Sequence, residues 1–245
     1  MTHRAYTEVG PGTARLGNAW WERAWSAFVG NTIELTQRAG QFQWLAGGSP
    51  EFQIHCPDRF FGIMDLGDVE WSEECTPHAA GLVLRKQGPE GVGVVICTYA
   101  FHDHPGMLRT FRVYNAGRAA ADITEVSVEV LSLRDCEISV HSNAPRAVFT
   151  AQDHGLAIEI EEDPDAVSLT PDGTHYAIVT PGPGLLLPGS YWDGPAVRLI
   201  PFTGDPGEHI ERLCATFEDR VSSFRCWQAR RAAAQSREDE AAADN

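Results

Sequence analysis

From about Thr32 to Phe202, apolar and polar residues alternate in short runs separated by clusters of Gly, Pro, Asn and Asp. A period of two sends successive side chains to opposite faces of a pleated strand, so each run predicts a strand with one buried and one wetted face. Phe111 and Val113 alternate with Arg112 and Tyr114, and Val126, Val128 and Val130 with Ser127 and Glu129, with Asn115-Ala116-Gly117 as the turn between them. Leu156, Ile158 and Ile160 repeat the pattern against Ala157, Glu159 and Glu161, and Pro171-Asp172-Gly173 punctuates the chain before Tyr176-Ala177-Ile178-Val179. At Val130-Leu131 the apolar phase slips by one residue and continues at Leu133, which predicts a bulge or a strand crossing between sheets. The fold class implied is all-β: a large antiparallel β-sandwich.

After Phe202 the period changes. Ile210, Leu213, Cys214, Phe217, Val221 and Phe224 recur at spacings of three and four, the stripe of one amphipathic helix packed on the sandwich. Asp205 is placed as its N-cap, Pro206 at the first helical position and Glu208 in a capping-box-like position. The domain reading is a sandwich over 1–204, the C-terminal helix over 205–235 packed on the same domain, and a disordered, solvated acidic tail over 236–245.

Composition narrows the function classes. The 245 residues fit a single all-β domain, and 43% apolar content suffices for a sizeable core without any run long enough to span a membrane. The N-terminus lacks the apolar stretch of a secretory signal, so a cytoplasmic location is expected. A net charge of -15 repels phosphate backbones and anionic lipid, which argues against nucleic-acid and membrane partners. Six cysteines form no C-x-x-C pair; Cys97 and Cys136 read as small buried hydrophobes. No cofactor is implied.

Four segments occur in a telling order: Leu16-Gly17-Asn18-Ala19-Trp20-Trp21-Glu22-Arg23; Ser49-Pro50-Glu51-Phe52-Gln53-Ile54; Tyr99-Ala100-Phe101-His102-Asp103-His104-Pro105-Gly106-Met107-Leu108-Arg109; and Phe111 to Gly117 with the strand after it. With Pro181-Gly182-Pro183-Gly184 and Leu187-Pro188-Gly189-Ser190, they resemble the N-terminal β-supersandwich of α-galactosidase-type (melibiase, family 36) glycoside hydrolases, a galactose-mutarotase-like fold. The resemblance implies a carbohydrate ligand. It carries over no catalytic carboxylate, because the barrel that bears them in those enzymes has no counterpart here. The expected role is therefore non-catalytic: a sugar-binding protein, or an accessory to a separately encoded catalytic subunit. The alternatives are a mutarotase-type epimerase or isomerase, and a structural assembly subunit that self-associates as a homo-oligomer through the apolar surface around Trp20 and Trp21.

Candidate chemistry centres on His102-Asp103-His104. Two apart on an extended strand, both imidazoles would project to one face and reach one sugar, as catalytic or binding groups, with Arg109 in the same segment. A metal there would need a third ligand from His55, His78, His141, His154 or a carboxylate at no recognisable spacing, so no metal site is assigned. Trp192-Asp193-Gly194 is read as a loop offering a ring face and a hydroxyl acceptor to a sugar. The acidic run Asp65 to Glu74 around Trp71 reads as a solvated loop.

Overall fold

The structure, a computed structural model, describes residues 4–88, 90–141, 146–161, 168–172, 175–204 and 207–243. Every strand pairing among them is antiparallel, and they form three sheets. The first is a meander of five consecutive strands, Tyr6–Val9, Thr13–Gly17, Trp21–Ser26, Thr32–Gln37 and Phe42–Gln43. The second orders Ser168–Asp172, His175–Leu186, Ala121–Ser132, Glu51–Cys56 and Arg59–Gly62. The third has nine strands, with Val197–Thr203, Met107–Asn115, Val92–Phe101, Ala79–Gln87 and Glu70–Cys75 side by side. The all-β expectation holds.

Alternation explains why the large sheet has two different faces. Val94, Ile96, Met107, Phe111 and Val113 turn inward and pack with Leu16, Trp21, Phe52 and Ile54 of the smaller sheets in the main core. Tyr99, Phe101, Leu108, Ile200 and Phe202 turn outward, where the helix Gly207–Ala243 covers them with Ile210, Cys214, Phe217, Val221 and Phe224. Gly106 makes that docking possible: a Cβ there would lie 2.5 Å from the Phe217 ring.

Several local expectations shift. The bulge lies earlier than the apolar pattern suggests, with register breaks between Ser127 and Glu129 against one neighbour and between Ser127 and Val130 against the other. The acidic run is not all loop: Glu70–Cys75 is an edge strand of the large sheet. Alternation places Trp71 against the core, its indole donating to Ala27 O at 3.0 Å, while exposed carboxylates blunt the edge. Cys97 and Cys136 are half-buried rather than buried, and Ile138 is exposed. Helical hydrogen bonding continues past Ala234 to Ala243, a segment rich in Ala, Arg, Gln and Glu, all strong helix formers. Asp205, Pro206 and Gly173 lie outside the described residues.

Candidate functional site

The two imidazoles of the expected His pair are not brought together. The strand ends at Phe101, and residues 102 to 106 bend, so the two imidazoles do not project side by side. His102 Nδ1 accepts the Ala5 N–H at 3.1 Å and Nε2 faces Thr76 O at 3.0 Å, a pairing that places a ring proton on Nε2. His104 Nδ1 accepts the Gly106 N–H at 2.9 Å, Nε2 sits 3.2 Å from Thr216 Oγ1, and the ring stacks on Phe217 at 4.9 Å. Burial holds its pKa down at about 4. All four ring nitrogens are occupied in fastening the bend to the N-terminal segment, the Thr76 turn and the helix.

The other histidines stand apart. His55 stacks on Phe60, His78 meets Trp227, and His154 stacks on Phe42. The side chain of His141 lies outside the described ones. Among the described residues, no group of three or more His, Cys, Asp or Glu side chains is placed to hold a metal ion.

Arg109 is fully buried. It turns into the core, where Arg23, Glu51 and Glu129 join it in a closed square that links all three sheets, each side chain at most 1% exposed. Glu51 meets Arg23 at 3.1 Å and Arg109 at 2.5 Å; Glu129 meets them at 2.8 and 3.1 Å. Burial alone would raise the Glu51 carboxyl, but Arg109, Arg23 and the Thr32 hydroxyl outweigh it and hold the pKa at about 2. Glu51 also sits at φ +74 in a tight turn closed by Phe52 N–H to Pro50 O at 2.9 Å. A left-handed non-glycine costs about 1–2 kcal/mol, and the ion pairs to Arg23 and Arg109 hold Glu51 there.

The open ground lies on the outer face of the large sheet beside the helix. Arg85, Val95, Arg112 and Tyr114 line a groove of about 680 Å³, bordered by Glu70 and Tyr191. Arg112 holds Asp193 in a two-pronged pair, Nε to Oδ1 at 2.5 Å and a terminal nitrogen to Oδ2 at 2.9 Å, which raises the guanidinium pKa. The same guanidinium lies 4.0 Å from the Tyr191 ring centroid, so one cation fixes both a carboxylate and an aromatic plane. Tyr114 lies over Gly93, where a Cβ would come within 2.4 Å of the ring, and its hydroxyl donates to Lys86 O at 3.3 Å. Burial pushes that phenol up. The Arg85 side chain is exposed opposite Glu70 in the strand register and makes no hydrogen bond or ion pair among the described residues. A second groove, of about 510 Å³, shares Val95 and Arg112 with the first and continues over Cys97 and Thr110 to Asp193, Glu161 and Arg225.

Two of the expected residues therefore separate. Tyr191–Asp193 is not a loop but a short strand paired with Arg112–Tyr114. Period two places Tyr191 and Asp193 on the outer face, whereas Trp192, opposite inward-facing Val113, packs against the main core. The exposed aromatic ring of this segment is Tyr191. Arg85, Tyr114, Glu70 and Tyr191 are not among the site residues expected from the sequence; the signal for Tyr114 is its alternation with Phe111 and Val113.

No family model matches the chain, and no curated protein matches it in sequence. Its fold does recur among solved structures. A galactose 1-epimerase from Lactobacillus acidophilus aligns with a TM-score of 0.57 at 8% identity, over 83% of this chain and 100% of that one. A galactose mutarotase-like protein from Clostridium acetobutylicum aligns at 0.53 and 9%, over 82% and 99%. A family 36 α-galactosidase from Geobacillus stearothermophilus aligns at 0.53 and 13%, over 81% of this chain but only 41% of the hydrolase. These identities establish likeness of fold alone. The chain has the galactose mutarotase-like sandwich, which the epimerase uses as a whole chain and the hydrolase as part of a longer one.

Proposed function

We propose that this sandwich binds carbohydrate, without transforming it, in the groove between Arg85 and Tyr191, and that it serves as a sugar-binding module or as the accessory of a separate catalytic subunit. The observation that carries the reading is the Arg112–Asp193–Tyr191 assembly. It presents a fixed ring face beside fixed hydrogen-bonding groups, the mixture that suits a sugar's C–H surface and its hydroxyls. Arg85 and Glu70 add a donor and an acceptor across the groove. The shared fold with sugar-acting proteins supports the same class of ligand.

Titration calorimetry of the purified chain with galactose, glucose and their methyl glycosides tests this. Binding is expected, weakened at least tenfold by Tyr191→Ala and by Arg85→Ala; no binding, or binding indifferent to both changes, removes the proposal. Anomer interconversion followed by polarimetry is expected to run at the buffer rate. Acceleration that disappears in Glu70→Gln would make the groove an active site instead. The epimerase reading through His102 or His104 gains nothing from the geometry, since neither ring has a free nitrogen for a substrate. An assembly surface on Trp20 and Trp21 is also weakened, because Trp21 is buried and only Trp20 is exposed.

A further inference from the structure

Resting on the carbohydrate reading, we infer that the ligand is a linear, uncharged oligosaccharide, lying across the Arg112–Asp193 pair from the first groove into the second. Three observations support it. The two grooves share Val95 and Arg112 as lining, so they meet there, and the proposed trough runs through both with Arg112 at its waist. A small-ligand site occupies ~300–1,000 Å³. The first half, at about 680 Å³, already falls in that range, so the additional 510 Å³ is space that a single sugar ring leaves unfilled.

Charge supplies the third observation. The chain carries -15, yet in the trough the carboxylates Asp68, Glu70, Glu161 and Asp193 face Arg85, Arg112 and Arg225. Near balance favours a ligand rich in hydroxyls over an acidic or basic one, because fixed charges of both signs serve as donors and acceptors while attracting neither ion overall. The helix has a part here as well. Arg225 projects from it and is held by Glu161, forming one wall of the second half. The waist then contacts an interior sugar unit, and Thr110, Cys97 and Arg225 contact the units that follow.

The test is a length series. Glucose and galactose are compared by calorimetry with cello-, malto- and β-1,4-galacto-oligosaccharides of increasing length. One series is expected to gain at least tenfold in affinity over its monosaccharide and then level off. Arg225→Ala, at an exposed position where folding is not at stake, and Thr110→Trp, which fills the trough floor, are expected to erase that gain and leave monosaccharide affinity unchanged. In the wild-type protein, the matching oligosaccharide should slow alkylation of Cys97, which the monosaccharide should not, with exposed Cys75 as the internal control.

Monosaccharide binding with no dependence on length, or a gain that survives both substitutions, overturns the inference and leaves the binding proposal standing. Failure of every sugar to bind overturns both.

Discussion

Arg109 and Arg112 stand three residues apart on one strand and therefore on opposite faces, and both are paired with carboxylates. Inside, Arg109 and the other three corners of the square have lost all contact with water, so the square stands on mutual neutralisation; Arg112 and Asp193 remain 45% and 56% exposed. The same chemistry thus has opposite energetic meaning. A buried charge deprived of its partner keeps its full desolvation cost, whereas an exposed pair exchanges its partner for water at little loss. The inner square holds three sheets in register. The outer pair is free to be spent on a ligand.

The sharpest way to break this contrast is to remove one corner. Glu129→Ala is expected to destabilise the fold by about 3–5 kcal/mol in urea unfolding, because two guanidiniums are left around a single carboxylate. Replacing all four corners by apolar residues of similar volume is expected to recover most of that loss; if it does not, the square contributes stability as well as register.

Acid probes the inside next. His104 has its pKa depressed from 6.5 to about 4, so its contribution is complete above about pH 6.5 and is lost as pH falls through about 4. A linkage of roughly 3 kcal/mol is the ceiling, and His104→Gln should flatten this part of the stability profile. Glu51 acts lower, its contribution intact above about 4.5 and lost as pH falls through about 2. Both windows are read by thermal unfolding across pH.

The smallest expected effect is outside. Asp193→Ala should cost less than about 1 kcal/mol of stability, yet it should weaken sugar binding several-fold by freeing Arg112 and Tyr191. A large loss of stability there would erase the distinction between the two faces.

Much of this is legible in the sequence. Phe111 and Val113 were assigned inward and Arg112 and Tyr114 outward from their alternation, as the structure places them. The apolar stripe from Ile210 to Phe224 found the helix and its buried side. The His pair misled because residue chemistry says nothing of who occupies the ring nitrogens. Ala5, Thr76 and Thr216 are 97, 26 and 112 residues away from their partners. Trp192 misled because reading its segment as a loop concealed the period that turns the indole inward. Arg109 reads in sequence like any polar residue, since its two carboxylate partners, Glu51 and Glu129, arrive from another sheet.

By itself the chain determined which residues share a strand face, where the β-rich part gives way to helix, and that apolar area suffices for one core; these follow from local periodicity and solvent transfer. Only the tertiary structure decided which outward face the helix covers and which it leaves open. That choice, and with it the groove beside Tyr191, depends on contacts between segments distant in sequence, which no local pattern encodes.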